Sequence, residues 1–237
     1  MTFGSTIRNG ISVGVGATPS LGQTSYFTPD QIQNLAAWYR FNTGITQAGG
    51  FASAWADQSG NGRNLVQASG ANQPSVNPDG SLLFNGTSQT MRVLFTLPQP
   101  ATVCVLAKPI SWTSQDRLWS GAGGASWPRV QQTSSNSTVQ YANTSGTAAV
   151  AYTNNVYSVF LGVANNTASI ISINNTERTG GSGTTALDGF TLCASGSGGA
   201  AFGNFEVKEV VVYSFALNLW QRRLMTRYLA MLGGLQT

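Results

Sequence analysis

The stretch Glu206-Val207-Lys208-Glu209-Val210-Val211-Val212-Tyr213 decides the fold class. Three consecutive valines and a tyrosine favour extended backbone. An apolar run without alternating polar positions suits a strand buried on both faces near its end. The same pattern recurs outward from it. Thr102 to Lys108 predicts a central strand, stopped by Pro109. Tyr157 to Val163 and Ala168 to Ile173 predict a hairpin across Asn165-Asn166. Asn174-Asn175 predicts the next turn, because Asn tolerates positive φ. Leu82-Leu83-Phe84 ends in the turn dipeptide Asn85-Gly86. Ala36 to Phe41 predicts a strand with Trp38 and Tyr39 on opposite faces. Short apolar runs divided by Gly, Asn, Ser and Pro predict an all-β sandwich up to about residue 213.

Two helices frame the strands. At the start, Thr28 suits an N-cap, Pro29 the first helical position and Gln31 a capping-box partner, so a short helix is expected. At the end, Asn218 suits an N-cap. Trp220, Leu224, Tyr228 and Met231 or Leu232 would form the buried stripe, and Gly233 the C′ glycine. Arg222, Arg223 and Arg227 would then point to solvent. Residues 1–26 are rich in Gly, Ser and Thr and have no period, which predicts an extended arm before a single domain of residues 27–237. Such an arm can stay disordered or order on a partner.

The composition limits the chemistry. The chain has 237 residues, no histidine, 8 acidic residues and 8% charged residues, against about 25% in an average soluble domain. General acid–base catalysis and transition-metal binding draw on the missing side chains. No enzyme activity, metal or cofactor is expected. The formal charge of +4 comes from scattered basic residues, without the clustered stripe of a nucleic-acid binder. No stretch has the ~18 consecutive apolar residues of a membrane helix, and the N-terminus has no apolar signal-peptide core. Cys104 and Cys193 lie in apolar runs. They suit buried thiols, and their pairing is left open.

One loop has a distinctive order: Trp55-Ala56-Asp57-Gln58-Ser59-Gly60-Asn61-Gly62-Arg63-Asn64-Leu65. It is followed by Gln73-Pro74, Phe84-Asn85-Gly86, Gly203-Asn204-Phe205-Glu206, the valine strand and Arg227-Tyr228-Leu229-Ala230. Over about residues 28 to 235 this resembles the laminin-G-like, concanavalin A-like lectin/glucanase domains, notably those of bacterial surface proteins and phage virion proteins. The resemblance implies a two-sheet antiparallel jelly roll. The glucanases of that family carry a Glu-x-Asp-x-(x)-Glu strand, which is absent here. Glu206 and Glu209 are three apart, and a regular strand would send them to opposite faces. Calcium is not expected, because Asp57, Asp79, Asp116 and Asp188 are isolated in the sequence and Asn85 stands where the family has Asp.

In the loop itself, Asp57 and Ser59 can bond backbone amides while Gly60 and Gly62 supply positive φ, a structural role. For a sugar, Trp112, Trp127 and Arg129 combine aromatic platforms with a polar donor; the alternative is that these tryptophans pack the sandwich. Trp119 is expected in the core. The function expected is a non-enzymatic structural or decoration protein of a bacteriophage particle. Its partners would be other virion proteins and copies of itself, with docking through the arm. The alternative is a carbohydrate-binding module that meets host-surface glycans.

Overall fold

A computed structural model describes residues 27–123, 128–134, 137–142, 149–181 and 183–236. The expected arm of residues 1–26, and Trp127, lie outside the described residues. In chain order the strands begin with β1 Leu35–Tyr39, β2 Ile45–Ala48, β3 Phe51–Trp55, β4 Leu65–Val66, β5 Ser75–Val76 and β6 Leu82–Leu83. Next come β7 Met91–Val93, β8 Ala101–Pro109, β9 Arg117–Ser120, β10 Arg129–Gln132, β11 Thr138–Ala142 and β12 Ala149–Ala151. The last are β13 Ser158–Ala164, β14 Ser169–Ile173, β15 Thr176–Gly180, β16 Phe190–Leu192 and β17 Phe205–Tyr213, before the helix α1 Leu219–Leu232.

These strands form one large antiparallel network, nearly barrel-shaped. Within it, pairing runs in two series. The first is β15-β14-β13-β8-β17-β1. The second is β12-β11-β10-β9-β16-β7-β4-β3-β2. A bridge from β17 through β6 and β5 to β3 joins them. The inner core lies between the series: Tyr39 stacks on Phe190 at a ring spacing of 6.3 Å, and Trp119 packs on both Phe190 and Tyr141 at 5.9 Å. Gly162 in β13 is required by this approach, since a Cβ there would come within 2.8 Å of the Tyr141 ring.

The valine strand β17 is buried on both faces. Val207, Val210 and Val212 enter the inner core, while Val211 and Tyr213 enter a second cluster beneath α1. Trp38 and Tyr39 divide between the same two clusters. Cys104 and Cys193 are free, buried and in different clusters, and burial pushes both thiols up. Asn174 and Asn175 adopt φ of 46° and 70° in the two-residue turn between β14 and β15.

The ends depart from expectation. The N-terminal element is a single 3-10 turn, Pro29–Gln31, without a side-chain cap from Thr28. The backbone becomes extended at Ile32, which drops into the cluster under α1, so no further turn can form. Helix α1 starts at Asn218 with a reciprocal capping box to Gln221. Its buried face is Arg222, Met225, Thr226, Tyr228, Leu229 and Ala230. Trp220 is 68% exposed and Met231 is exposed. The helix is rotated from the expected stripe because Arg222 is anchored inward. Its Nε and Nη2 donate to Glu177 at 2.7 and 2.8 Å, and its Nη1 donates to the Leu217 carbonyl at 2.8 Å. Gly233 keeps a right-handed conformation, and the positive φ falls on Gly234 at 67°.

Glu206 and Glu209 also depart from the regular-strand expectation. Pairing with β8 slips by one residue at Lys208, so Glu206 lies opposite Lys108 and Glu209 opposite Leu106. Lys108 and Leu106 share a face, and the bulge therefore turns both glutamates outward on the α1 side. Each is held by its own partners. Glu206 meets Lys108, Ser81 and Tyr157. Glu209 accepts from Trp38 Nε1 at 2.7 Å, Tyr228 Oη at 2.7 Å and the Phe41 amide at 3.1 Å.

Candidate functional site

The loop Trp55–Leu65 is built around one carboxylate. Asp57 Oδ1 accepts from the amides of Trp38 and Ser59 at 2.9 and 2.8 Å, and Oδ2 accepts from Ser59 Oγ and the Arg63 amide at 2.8 and 3.0 Å. Gly60 and Gly62 take φ of 85° and 70°, the left-handed region where a side chain is disfavoured. These bonds tie the loop to β1, and all of the accepting capacity of Asp57 faces its own chain. Among the described residues no three His, Cys, Asp or Glu side chains gather as a metal site.

Arg129 leads to a different surface. Val66, Arg92, Thr191, Ser120 and Arg129 are paired successively across β4, β7, β16, β9 and β10. Directly paired residues share a face. Their neighbours Leu65, Met91, Phe190, Leu192, Trp119 and Val130 all enter the inner core. This rung therefore lies on the outer face of the second series, with Arg92 and Arg129 separated by three strand spacings, roughly 14 Å. The middle of the rung is covered by the loop after β16. Gly196 accepts from Thr191 Oγ1 at 2.6 Å and donates its amide to Ser120 Oγ at 2.9 Å.

An open groove of about 510 Å³ adjoins one side of that loop. Asn64, Gln67, Asn72, Thr90 and Ser197 line it with Arg92. Val66 and Leu94 offer apolar surface there, at 52% and 66% exposure. The mixture of amides, hydroxyls, one guanidinium and aliphatic patches can hydrogen-bond a neutral hydroxyl-rich ligand and cover its C–H faces.

The other side of the loop carries Arg117, Arg129 and Gln131. A bulge at Leu118 turns both Leu118 and Trp119 into the core and brings Arg117 out opposite Gln131. Gln131 and Arg129 are two apart on β10 and share that face, with Arg129 Nε donating to Gln131 Oε1. Burial, and then the nearby Arg117 charge, lower the Arg129 guanidinium to about 10. Burial raises the Asp116 carboxyl to about 6, against an opposing bond from Thr113.

Of the residues the sequence offered for a sugar, Arg129 is half-buried on this face. Trp112 is partly buried and leans on the inner core from its rim, with Nε1 buried and unpartnered. Trp119 is core. The groove residues were missed because they come from four separate segments that only the tertiary fold brings together.

No family model matches the sequence, and comparison with curated proteins gives no match. Solved structures do match in fold. Trypanosoma rangeli sialidase in complex with sialic acid is 14% identical over 84% of this chain, with a TM-score of 0.59. Domain 4 of AbnA, an extracellular arabinanase from Geobacillus stearothermophilus, in complex with arabinotriose, is 16% identical over 81% of this chain and 98% of that domain, with a TM-score of 0.60. The binding domain of Paraclostridial Mosquitocidal Protein 1 is 10% identical over 81% of this chain and 52% of that one, with a TM-score of 0.57. The chain spans about a third of the sialidase chain, covering 33% of it. At these identities the likeness is one of fold: a lectin-like β-sandwich.

Proposed function

We propose that this chain is a non-catalytic carbohydrate-binding module of the concanavalin A-like jelly-roll type, its two strand series forming the two sheets. The observation that carries the reading is the outer-face groove beside the Gly196 loop, with its amide and hydroxyl lining and exposed Val66 and Leu94. Support comes from the fold shared with nearly the whole of an arabinotriose-bound domain. The test is a glycan array probed with the full chain. Binding should appear for neutral oligosaccharides and fall at least about tenfold in V66D and L94D, which place an unpaired charge where sugar C–H groups would lie. Both positions are exposed, so the fold should survive. A blank array, or binding indifferent to both substitutions, would end the reading.

A second reading, a structural or decoration protein of a bacteriophage particle, draws on where residues 1–26 join. Phe27 packs edge-on against Tyr228 with ring centroids 5.9 Å apart. It lines a pocket of about 540 Å³ with Arg40, Phe41 and Met231. On this reading the arm docks on other virion proteins or on neighbouring copies. Deleting residues 1–26 should then abolish incorporation into particles while leaving the thermal transition of the domain intact.

A further inference from the structure

Arg117 lacks the partners a buried guanidinium needs. Its Nε and Nη1 are buried without a hydrogen-bond partner. The ion pairs found among the described residues, Lys108–Glu206, Lys208–Asp79 and Arg222–Glu177, do not involve it. A buried N–H left unmade is costly, so a fold has reason to avoid this arrangement unless something else completes it. Arg129 stands on the same face, one rung away, and adds a second cation. The acid next in sequence does not fill the gap. Asp116 accepts from Thr113, and its carboxyl is raised by burial, whereas an arginine pair would lower it.

No described group completes this guanidinium, and an anion supplied from outside the chain would do so. Planar guanidinium forks bind carboxylates and sulfates in bidentate fashion. The surroundings say what carries that anion. Gln131 lies opposite Arg117, and Gln140 lies opposite Gln131, so the neighbours are neutral amides rather than further cations. The groove across the Gly196 loop is amide- and hydroxyl-lined. A polyanion such as a nucleic acid would meet, among the described residues of this face, three spaced cations, Arg92, Arg117 and Arg129, and no continuous basic stripe. A sugar bearing one acidic substituent matches both parts of the face.

We propose that Arg117 and Arg129 form an anion subsite that takes the carboxylate or sulfate of an acidic saccharide. This rests on the carbohydrate-binding reading above, and it makes the ligand acidic at one position. The test compares a uronic-acid oligosaccharide, a sulfated oligosaccharide and their neutral counterpart by calorimetry on the full chain. Inorganic sulfate is followed in parallel through the arginine Nε–H NMR signals. An acidic ligand should bind about tenfold or more tightly than the neutral one, the order of a charge-assisted pair. That preference should disappear in R117Q and R129Q while neutral-sugar affinity stays. R117K, which keeps the charge and loses the fork, should restore only part of it.

Which acidic sugar gains more identifies carboxylate or sulfate as the source, and a gain by either supports the subsite. Equal affinity for acidic and neutral sugars overturns the proposal and leaves the carbohydrate reading standing. An acid preference unchanged in both glutamine variants also overturns it. Sulfate shifts at Arg117 without any saccharide binding would uphold an anion site but sink the carbohydrate reading and the acidic-saccharide assignment. Tighter binding of an oligonucleotide than of either acidic sugar would overturn the assignment in favour of nucleic acid.

Discussion

The outer faces of the two strand series treat ionisable groups in opposite ways. On the first series, beneath and beside α1, charges are closed off by the chain itself. Glu209 is fully buried and holds three donors. Arg222 grips Glu177 through both ends of its fork, and Lys108 and Lys208 pair with Glu206 and Asp79. On the second series, buried polar atoms stand without partners. On its outer face these are Arg92 Nε and Arg117 Nε and Nη1. A fold this poor in charge does not leave polar atoms unmade at random. On the proposed binding role, the contrast separates a face where polar groups specify the packing from one left open to a ligand.

The largest effect should come from opening the closed face. Glu209→Ala would leave the Trp38 indole, the Tyr228 hydroxyl and the Phe41 amide without an acceptor. A loss of about 3–5 kcal/mol in urea unfolding is expected. Glu209→Gln keeps one acceptor and should cost less. Next comes Arg222→Ala, which strips a bidentate pair and the bond to Leu217. It should lose about 2 kcal/mol, while Arg223→Ala, on the exposed side, should stay within about 0.5 kcal/mol. Equal losses at the two arginines would break the contrast between faces on the helix itself.

Those two arginines also show where sequence reading stops. Strands, hairpins and turns were legible because their signals are local. Valine runs favour extended backbone, and Asn174-Asn175 accepts positive φ within two residues. The face of α1 was not legible from apolar size. Trp220 outranks Arg222 on any hydrophobicity scale, yet Arg222 has a partner on β15 that no window of α1 contains. The bulge at Lys208 is likewise invisible in a run that reads as regular strand, and it reverses the facing of one glutamate relative to the other. The candidate site is harder still. Val66 and Thr191 are 125 positions apart in sequence yet are joined through Arg92 on one rung. Only Arg129 of that rung was singled out by residue type, because side-chain chemistry is local and register is not.

On the open face the effects should be small in stability and of the opposite sign. Arg117→Gln removes a half-buried charge that no group among the described residues compensates. It should raise stability by up to about 1 kcal/mol after solvent screening. The same substitution removes the acid preference proposed above, which would separate binding from folding at a single residue. Marked destabilisation by Arg117→Gln would place this arginine with the structural charges of the first face.

The smallest effect is a pH dependence at Asp116. Burial raises its carboxyl from the ordinary value of 3.8 to about 6 in the folded chain. Below pH ~4 both folded and unfolded chains carry the proton, and the group contributes nothing. Between about 4 and 6 the unfolded chain ionises first, so folding stability falls as pH rises through that window and stays lower above it. Asp116→Asn abolishes this penalty. Because the group is only half-buried, the gain at pH ~7 should be below about 1 kcal/mol, and it should vanish near pH 4. A thermal-denaturation series across that range reads the difference directly. The outcome also bears on the neighbouring cation. A gain at neutral pH means Asp116 is not the counter-ion of Arg117, and the anion that completes the guanidinium must come from elsewhere. A loss on Asp116→Asn at neutral pH would mean that the two residues already form an ion pair, and the contrast between the two faces would close.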